Sequence, residues 1–181
     1  MSSEYIPSPY DYLPPAATFE VTSTDLQEGG RMASLQLSKA FGVVEEGDVS
    51  PQLAWKGFPA ETKSFVVSCY DPDAPTVSGF WHWVMYDVPA SVTELPVDAG
   101  NPDGSKMPAG AKMLKNDAGF AGFCGAAPPP GLKDHRYIFC VSALPVENLP
   151  IDENTSPAVC NFHMFGAGVL GRAMLTSLYS R

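Results

Sequence analysis

The chain has 181 residues, which fits a single domain, and 45% of them are hydrophobic, which is enough to fill a core. Its formal net charge of −9 disfavours nucleic acid as a partner, because that affinity depends on many lysine and arginine contacts to phosphates. The same charge disfavours broad electrostatic docking on anionic membranes, and no apolar run is long enough for a membrane span.

Segments typical of β-strands recur along most of the chain. After an extended lead-in at residues 1–18, stretches rich in β-branched and aromatic residues alternate with glycine, proline and aspartate. The predicted strands are Thr18–Thr22, Leu53–Lys56, Ser64–Tyr70, His82–Tyr86, Lys112–Asn116 and Tyr137–Ala143. We therefore expect one mainly β domain over residues 19–181.

The last part of the chain has the features of helices. Ser156 followed by Pro157 is typical of a helix N-terminus, with the serine as the capping residue. Apolar residues from Val159 to Leu178 then approximate helical spacing. Because glycines interrupt this stretch, we predict two consecutive C-terminal helices beside a β-sandwich. The interrupting residues are Gly166, Gly168 and Gly171.

The cysteines indicate a reducing compartment. None of the four belongs to a CxxC pair or to a zinc-binding spacing, and residues 1–19 lack the basic and apolar regions of a signal peptide. We therefore predict reduced thiols and a cytoplasmic location. Cys69 and Cys140 lie within apolar strand patterns, so we expect them in the core.

Two carboxylates, Asp71 and Asp73, directly follow the predicted strand Ser64–Tyr70. Pro72 and Pro75 restrict the backbone there, so the pair could orient a ligand or hold an imidazole. Aspartate and proline also dominate ordinary turns, so this motif alone leaves both interpretations open.

His82 lies among aromatic residues at the start of the next strand. Strand alternation places Trp81 and Trp83 on one face, and Phe80, His82 and Val84 on the other. An imidazole in this position could serve a ligand or could be a core histidine with its hydrogen bonds satisfied.

His135 follows the proline run Pro128–Pro130, which must be a loop because proline supplies no amide hydrogen to a sheet. His135 and Tyr137 share one strand face and offer an imidazole and a phenol to one point. Arg136 then points the other way, and we expect it to pair with Asp71 or Asp73. A polar edge strand without a binding role is the alternative.

The order of these motifs makes the chain resemble the phosphatidylethanolamine-binding protein family, which includes the Raf kinase inhibitor proteins. Asp71-Pro72-Asp73-Ala74-Pro75 is similar to the first family signature, and Gly131-x-x-x-His135-Arg136-Tyr137 to the second. Gly79-Phe80-Trp81-His82-Trp83-Val84 and Ser156-Pro157-Ala158-Val159 resemble the bacterial and archaeal branch. The resemblance implies a β-sandwich with a large central antiparallel sheet, a smaller sheet and C-terminal helices.

The resemblance also implies a non-enzymatic function without a cofactor. The expected ligand is a small anion, such as phosphate or a phospholipid headgroup, and the expected assembly is a homodimer. A kinase or protease that the protein inhibits is an alternative partner. The implied ligand-binding residues are Asp71, Pro75, Phe80, His82, Gly125, Pro128, Pro129, His135 and Tyr137.

Three further interpretations remain open. A hydrolase could use Asp71, His82 and His135, and Gly122–Ala126 is weakly similar to a nucleophile elbow with Cys124 in the serine position. The two aspartates and two histidines could instead bind a metal.

The third interpretation concerns pH. If Asp71 and Asp73 favour protonation of both histidines, anion binding should strengthen as pH falls from about 8 to about 6. The backbone near Gly125 and the Tyr137 hydroxyl are the neutral donors that would bind the anion otherwise.

The acidic segment Glu45–Asp48 is expected to be a solvated loop.

Overall fold

The computed structural model describes residues 6–181 and contains two β-sheets and an α-helix. The strands and helix, in chain order, are β1 (Ala17–Thr18), β2 (Glu20–Thr22), β3 (Leu53–Lys56), β4 (Ser64–Asp71), β5 (Phe80–Pro89), β6 (Glu94–Leu95), β7 (Lys112–Met113), β8 (His135–Leu144), α1 (Pro157–Ala167) and β9 (Gly171–Tyr179). The mainly β fold class is confirmed.

The larger sheet has six strands in the order β1-β9-β8-β4-β5-β7. All its neighbours pair antiparallel except β1 and β9, which are parallel. The smaller sheet has the order β2-β3-β6 and is antiparallel. Strands β4 and β8 are central and buried along almost their whole length, which explains their nearly continuous apolar sequences.

The core has two layers, one on each face of the larger sheet. The main layer fills the space between the two sheets, where the Trp55 ring of β3 meets the Phe65 ring of β4 at 5.3 Å between centroids. The second layer lies on the opposite face, where Val66 and Tyr86 of the sheet pack with Cys160 and Met164 of α1. The larger sheet is therefore covered on both faces, which leaves its strand ends as the places for a pocket.

The N-terminal prediction is partly wrong. The predicted strand Thr18–Thr22 is divided at Phe19, with β1 in the larger sheet and β2 in the smaller one. Within the predicted extended lead-in, Pro9–Tyr12 forms a short 3-10 helix capped by Ser8. Residues 1–5 of that lead-in lie outside the described residues.

The second predicted C-terminal helix is wrong, because residues 171–179 form strand β9. The first helix is confirmed: the Ser156 hydroxyl accepts from the Val159 amide, and Gly168 ends α1 in the left-handed conformation. After Gly168 the chain pairs with β8 over nine residues. Leucine, alanine and methionine favour helices locally, but the exposed edge of β8 and alternate burial of Ala173, Leu175 and Ser177 outweigh that preference.

All four cysteines are buried and free, and the predicted core positions of Cys69 and Cys140 are confirmed. No helix within residues 6–181 is long and apolar enough to cross a membrane.

Candidate functional site

The sheet topology explains why three separate motifs meet. Strand β4 pairs antiparallel with both β5 and β8, so its last residue lies beside the first residues of both neighbours. Asp71 ends β4, Phe80 begins β5 and His135 begins β8. These strand ends surround a cavity of about 170 Å³. Its lining residues are Phe41, Asp71, Ala74, Pro75, Thr76, Phe80, His82, Ala127, Pro128, Pro129, His135 and Tyr137.

A β-bulge directs His82 into this cavity. Cys69 pairs with Trp83 and Tyr70 pairs with Trp81, so His82 is an extra residue with no partner on β4. The prediction that Trp81 and Trp83 share a face is therefore wrong. Trp81 packs against the Tyr70 ring beside the helix layer, whereas Trp83 packs on Phe123 in the main core.

The bulge also corrects the predicted position of Val84. Val84 lies in the layer under α1 and not on the face that Phe80 and His82 share. Strict alternation fails here because a bulge adds one residue to one strand and resets the faces of all that follow.

His82 is held by the backbone. Its Nδ1 lies 2.7 Å from the Cys124 carbonyl oxygen, which can only accept, so Nδ1 carries the hydrogen. Burial lowers the pKa of His82 to about 4, although the Cys124 carbonyl opposes this shift. His82 is consequently neutral near pH 7, contrary to the expectation that nearby carboxylates protonate both histidines.

His135 has a carboxylate partner. Its Nδ1 lies 2.8 Å from Oδ2 of Asp71, and both side chains are almost fully buried. The other Asp71 oxygen accepts the Asp73 amide at 2.8 Å. Burial raises the pKa of Asp71, and the hydrogen bond from His135 opposes that rise. Asp71 thus fixes the orientation of the His135 imidazole at the start of β8.

Asp73 points away from the cavity and binds Arg136. Arg136 donates Nε to Oδ2 at 2.8 Å and Nη2 to Oδ1 at 3.1 Å, and its amide donates to Oδ2 at 3.0 Å. Burial by itself would raise the pKa of Asp73, but these hydrogen bonds outweigh it and lower that pKa. Of the two predicted partners for Arg136, the structure thus selects Asp73. The carboxylate closes the β4–β5 loop onto β8 and does not face a ligand.

Tyr137 contributes an unused hydroxyl. The residue lines the cavity and packs against the edge of the His82 ring at 5.2 Å between centroids. Its buried hydroxyl has no hydrogen-bond partner among the described residues. Burial, with a contribution from Asp71, raises the pKa of Tyr137 well above its usual value, so the hydroxyl keeps its proton and can donate.

Gly125 is the one predicted site residue that does not line the cavity. Its amide donates to Asp48 Oδ1 at 2.7 Å, so it is not a free donor for a ligand. A Cβ at this position would lie 2.3 Å from the Leu37 carbonyl carbon, so only glycine fits there. Asp48 also accepts the Ala40 amide at 2.7 Å and has a positive φ of 58°, so it is a structural link and not simply part of a solvated loop.

The other side of the cavity is formed by the proline run and a loop that no motif identified. The Pro128 carbonyl accepts from Arg181 Nε at 2.8 Å, which holds the wall in place. Phe41 packs edge-on against Phe80, with 6.4 Å between centroids, and remains half exposed at the mouth. Sequence reasoning missed four lining residues, of which only Ala127 and the two in the aspartate-proline loop adjoin a recognised motif. These four are Phe41, Ala74, Thr76 and Ala127.

Two alternative interpretations lose support from the geometry. Cys124 is fully buried, and burial raises its pKa to about 12, so it lacks the exposed thiolate of a nucleophile. Among residues 6–181, no group of three or more His, Cys, Asp or Glu side chains is arranged to hold a metal ion.

Comparisons with known proteins identify one family. The family model described as phosphatidylethanolamine-binding protein matches residues 22–180. The chain is 48% identical to the Escherichia coli protein YbcL over 91% of this chain and 88% of that one. It is 43% identical to E. coli YbhB over 89% of this chain and 99% of that one.

Solved structures show the same similarity. The crystal structure of E. coli YbcL, described as a member of the mammalian PEBP family, matches with a TM-score of 0.87 and 46% identity, covering 91% of this chain and 99% of that one. A phosphatidylethanolamine-binding protein homologue from Chlamydia trachomatis matches with a TM-score of 0.72 and 26% identity over 92% of this chain and 99% of that one.

Proposed function

This chain belongs to the phosphatidylethanolamine-binding protein family, and from that premise we propose that its strand-end cavity binds a small anionic group of the phosphate or phospholipid-headgroup type. The observation that carries the proposal is the Tyr137 hydroxyl. It is buried, protonated and without a partner among the described residues, and it belongs to a residue of the cavity wall. A buried donor without a partner is costly in a folded protein, so a bound acceptor would explain it.

The two carboxylates near the cavity do not prevent an anion from binding, because both have partners within the protein. Asp73 is directed to Arg136 and Lys133, so its charge is compensated outside the cavity. Asp71 faces inward, but each of its oxygens accepts a hydrogen bond from within the protein.

We propose a binding role and not catalysis. The cavity contains two histidines and a carboxylate, but its described lining residues include no activated nucleophile beside them. The hydroxyl of Thr76, which lines the cavity, donates to the Gly79 carbonyl, and Cys124 is buried behind His82. The arrangement therefore suits orientation of a ligand better than transfer of a group.

Calorimetric titration of inorganic phosphate into the full chain tests the proposal, with Tyr137→Phe as the diagnostic variant. Removing a hydroxyl that donates to a charged ligand should weaken binding by about tenfold to a hundredfold, since such a bond contributes about 1.5–3 kcal/mol. Stability should change by less than about 0.5 kcal/mol, because the hydroxyl has no partner to lose.

Tyr86→Phe is the matched control, since Tyr86 is an equally buried tyrosine in the layer under α1. It should bind phosphate like the wild type. If the wild type does not bind phosphate, the anion proposal is wrong, and regulation of a kinase or protease becomes the better interpretation. Equal binding by wild type and Tyr137→Phe would remove the observation on which the proposal depends.

The homodimer implied by the resemblance is part of the same proposal. Helix α1 exposes Val159, Phe162 and Phe165, with exposed fractions of 46%, 72% and 61%. Apolar side chains grouped on one helix face are typical of surfaces that associate. Light scattering should give twice the chain mass, and Phe162→Ser with Phe165→Ser should give the monomer mass. A cytoplasmic location stays a prediction from the sequence.

A further inference from the structure

The cavity is poor in hydrogen-bond donors. None of its twelve lining residues is lysine or arginine. The cations nearby are used elsewhere: Arg136 and Lys133 contact Asp73, and Arg181 donates to the Pro128 carbonyl. The prolines of the wall have no amide hydrogen, and the Gly125 amide is bound to Asp48. Few groups are therefore left to donate to an anion.

One ring nitrogen in the cavity is an acceptor. His82 donates its Nδ1 hydrogen to the Cys124 carbonyl, and the Gly125 backbone also accepts from the ring. In the neutral form with the hydrogen on Nδ1, Nε2 is the ring nitrogen without a hydrogen. The titratable groups around the ring are Asp48 behind it, Asp71 and His135 across the cavity, Tyr137 against its edge and Cys124. Burial lowers the pKa of His82 more than the Cys124 and Gly125 backbone and Asp48 raise it, so the ring stays neutral and Nε2 presents a lone pair.

We infer, on the basis of the proposed function, that the pocket selects a phosphomonoester group in its singly protonated form and discriminates against phosphodiesters and dianions. The P–OH group donates to His82 Nε2, while an anionic oxygen accepts from Tyr137. A phosphodiester has no P–OH and leaves Nε2 desolvated without a partner, which is costly. A dianion brings a second negative charge close to Asp71. It also directs an oxygen lone pair at the lone pair of His82 Nε2, and the two repel each other.

This selection determines how binding depends on pH. The second pKa of a phosphate monoester is about 6, so above it the protonated fraction falls about tenfold per pH unit. Affinity for phosphoethanolamine should therefore fall roughly tenfold or more between pH 6 and pH 8, and binding at pH 8 should take up close to one proton. The direction matches the sequence-based expectation, but the proton is carried by the ligand and not by His82.

Two matched ligand pairs test the inference by calorimetry on the full chain at pH 6. Phosphoethanolamine and glycerophosphoethanolamine share the ammonium group and differ in being monoester and diester. Phosphate and sulfate have the same size, but sulfate carries no proton at this pH. We expect glycerophosphoethanolamine and sulfate to bind at least about tenfold more weakly than their partners. Sulfate bound as tightly as phosphate would overturn the inference.

A variant and a second measurement complete the test. His82→Phe keeps the ring shape and removes the acceptor, so the preference for phosphate over sulfate should fall to near one. Proton uptake by the wild type, measured in buffers of different ionisation enthalpy, tests the same point without any substitution, and uptake near zero at pH 8 contradicts it. Binding to vesicles that contain phosphatidic acid would identify a lipid as the source of the monoester. Binding to soluble phosphoethanolamine alone would identify a soluble compound, and either result supports the inference.

The outcomes separate this inference from the proposed function. If phosphate and phosphoethanolamine fail to bind between pH 5.5 and 8, the anion pocket itself is wrong. If both members of each pair bind equally, the anion pocket stands and the selection for a protonated monoester is wrong.

Discussion

The two sides of the cavity hold their histidines in opposite ways. On the side formed by β4 and β8, His135 donates to a buried carboxylate, Asp71, at 2.8 Å. On the side formed by β5 and the loop before the proline run, His82 donates to the backbone carbonyl of Cys124 at 2.7 Å. The bond lengths are similar, but the partner of His135 is an acidic side chain, whereas His82 has a backbone carbonyl as its partner and burial keeps its ring neutral.

This difference shows that the number of nearby aspartates does not decide the charge of a histidine. The sequence places two carboxylates before both histidines, yet one carboxylate is directed outward to Arg136 and the other contacts His135 but not His82. The partner atom and the degree of burial decide the charge, and both depend on which strand ends meet.

The largest expected effect is on the side with the hydrogen bond between Asp71 and His135. Asp71→Ala removes the partner of a buried imidazole and should lower the free energy of unfolding by about 3 kcal/mol, measured by urea unfolding at pH 7. Asp71→Asn keeps an acceptor for the His135 Nδ1 hydrogen and should cost clearly less. Equal losses in the two variants would mean that a neutral acceptor cannot replace the carboxylate, and no loss in either would mean that Asp71 does not stabilise this side.

The side held by the backbone should be sensitive to acid. The pKa of His82 is lowered to about 4 in the folded protein, against about 6.5 when unfolded, so the neutral ring contributes stability above pH 6.5. That contribution, up to about 3 kcal/mol, is lost as pH falls through 6.5 toward 4. His82→Phe should lose less stability than the wild type over this range in urea unfolding at several pH values. Parallel pH profiles would contradict the low pKa.

A smaller effect should follow from adding a methyl group at Gly125, next to the backbone of residues 37 and 38. Gly125→Ala places a methyl group against the backbone of Leu37 and Ser38 and should cost about 2 kcal/mol of stability, measured by thermal and urea unfolding. Gly166→Ala is the control, because nothing lies within 4 Å of its added methyl and its position in α1 favours alanine. If Gly125→Ala is as stable as Gly166→Ala, the backbone of residues 36–38 can move aside at little cost in free energy.

The smallest effect concerns the outward carboxylate. Asp73→Ala removes the three hydrogen bonds with Arg136 and should cost about 1 kcal/mol, because the site is only partly buried. Glu20→Ala removes an exposed ion pair with Lys56 and should change stability by less than about 0.5 kcal/mol. If both variants are neutral in urea unfolding, the bonds to Arg136 do not hold the β4–β5 loop.

Much of the candidate site could be predicted from sequence. Each of the three motifs adjoins a strongly apolar strand, so its position at a strand end could be predicted. These are the aspartate-proline motif, the aromatic motif around His82 and the motif before Tyr137. Eight of the nine predicted site residues line one cavity in the structure. Phe41 was not predictable, since it reaches the mouth from a loop that has no strand pattern and no motif.

The sequence by itself determined the mainly β class, the first C-terminal helix and the placement of histidines at strand ends, because alternation, capping residues and prolines act over a few neighbouring positions. Only the tertiary structure decided that residues 171–179 pair with β8 instead of continuing as a helix, and that a bulge turns His82 into the cavity. It also decided that Asp48 uses the Gly125 amide. These outcomes depend on contacts between residues far apart in the chain, where the free energy of pairing and burial outweighs local preference.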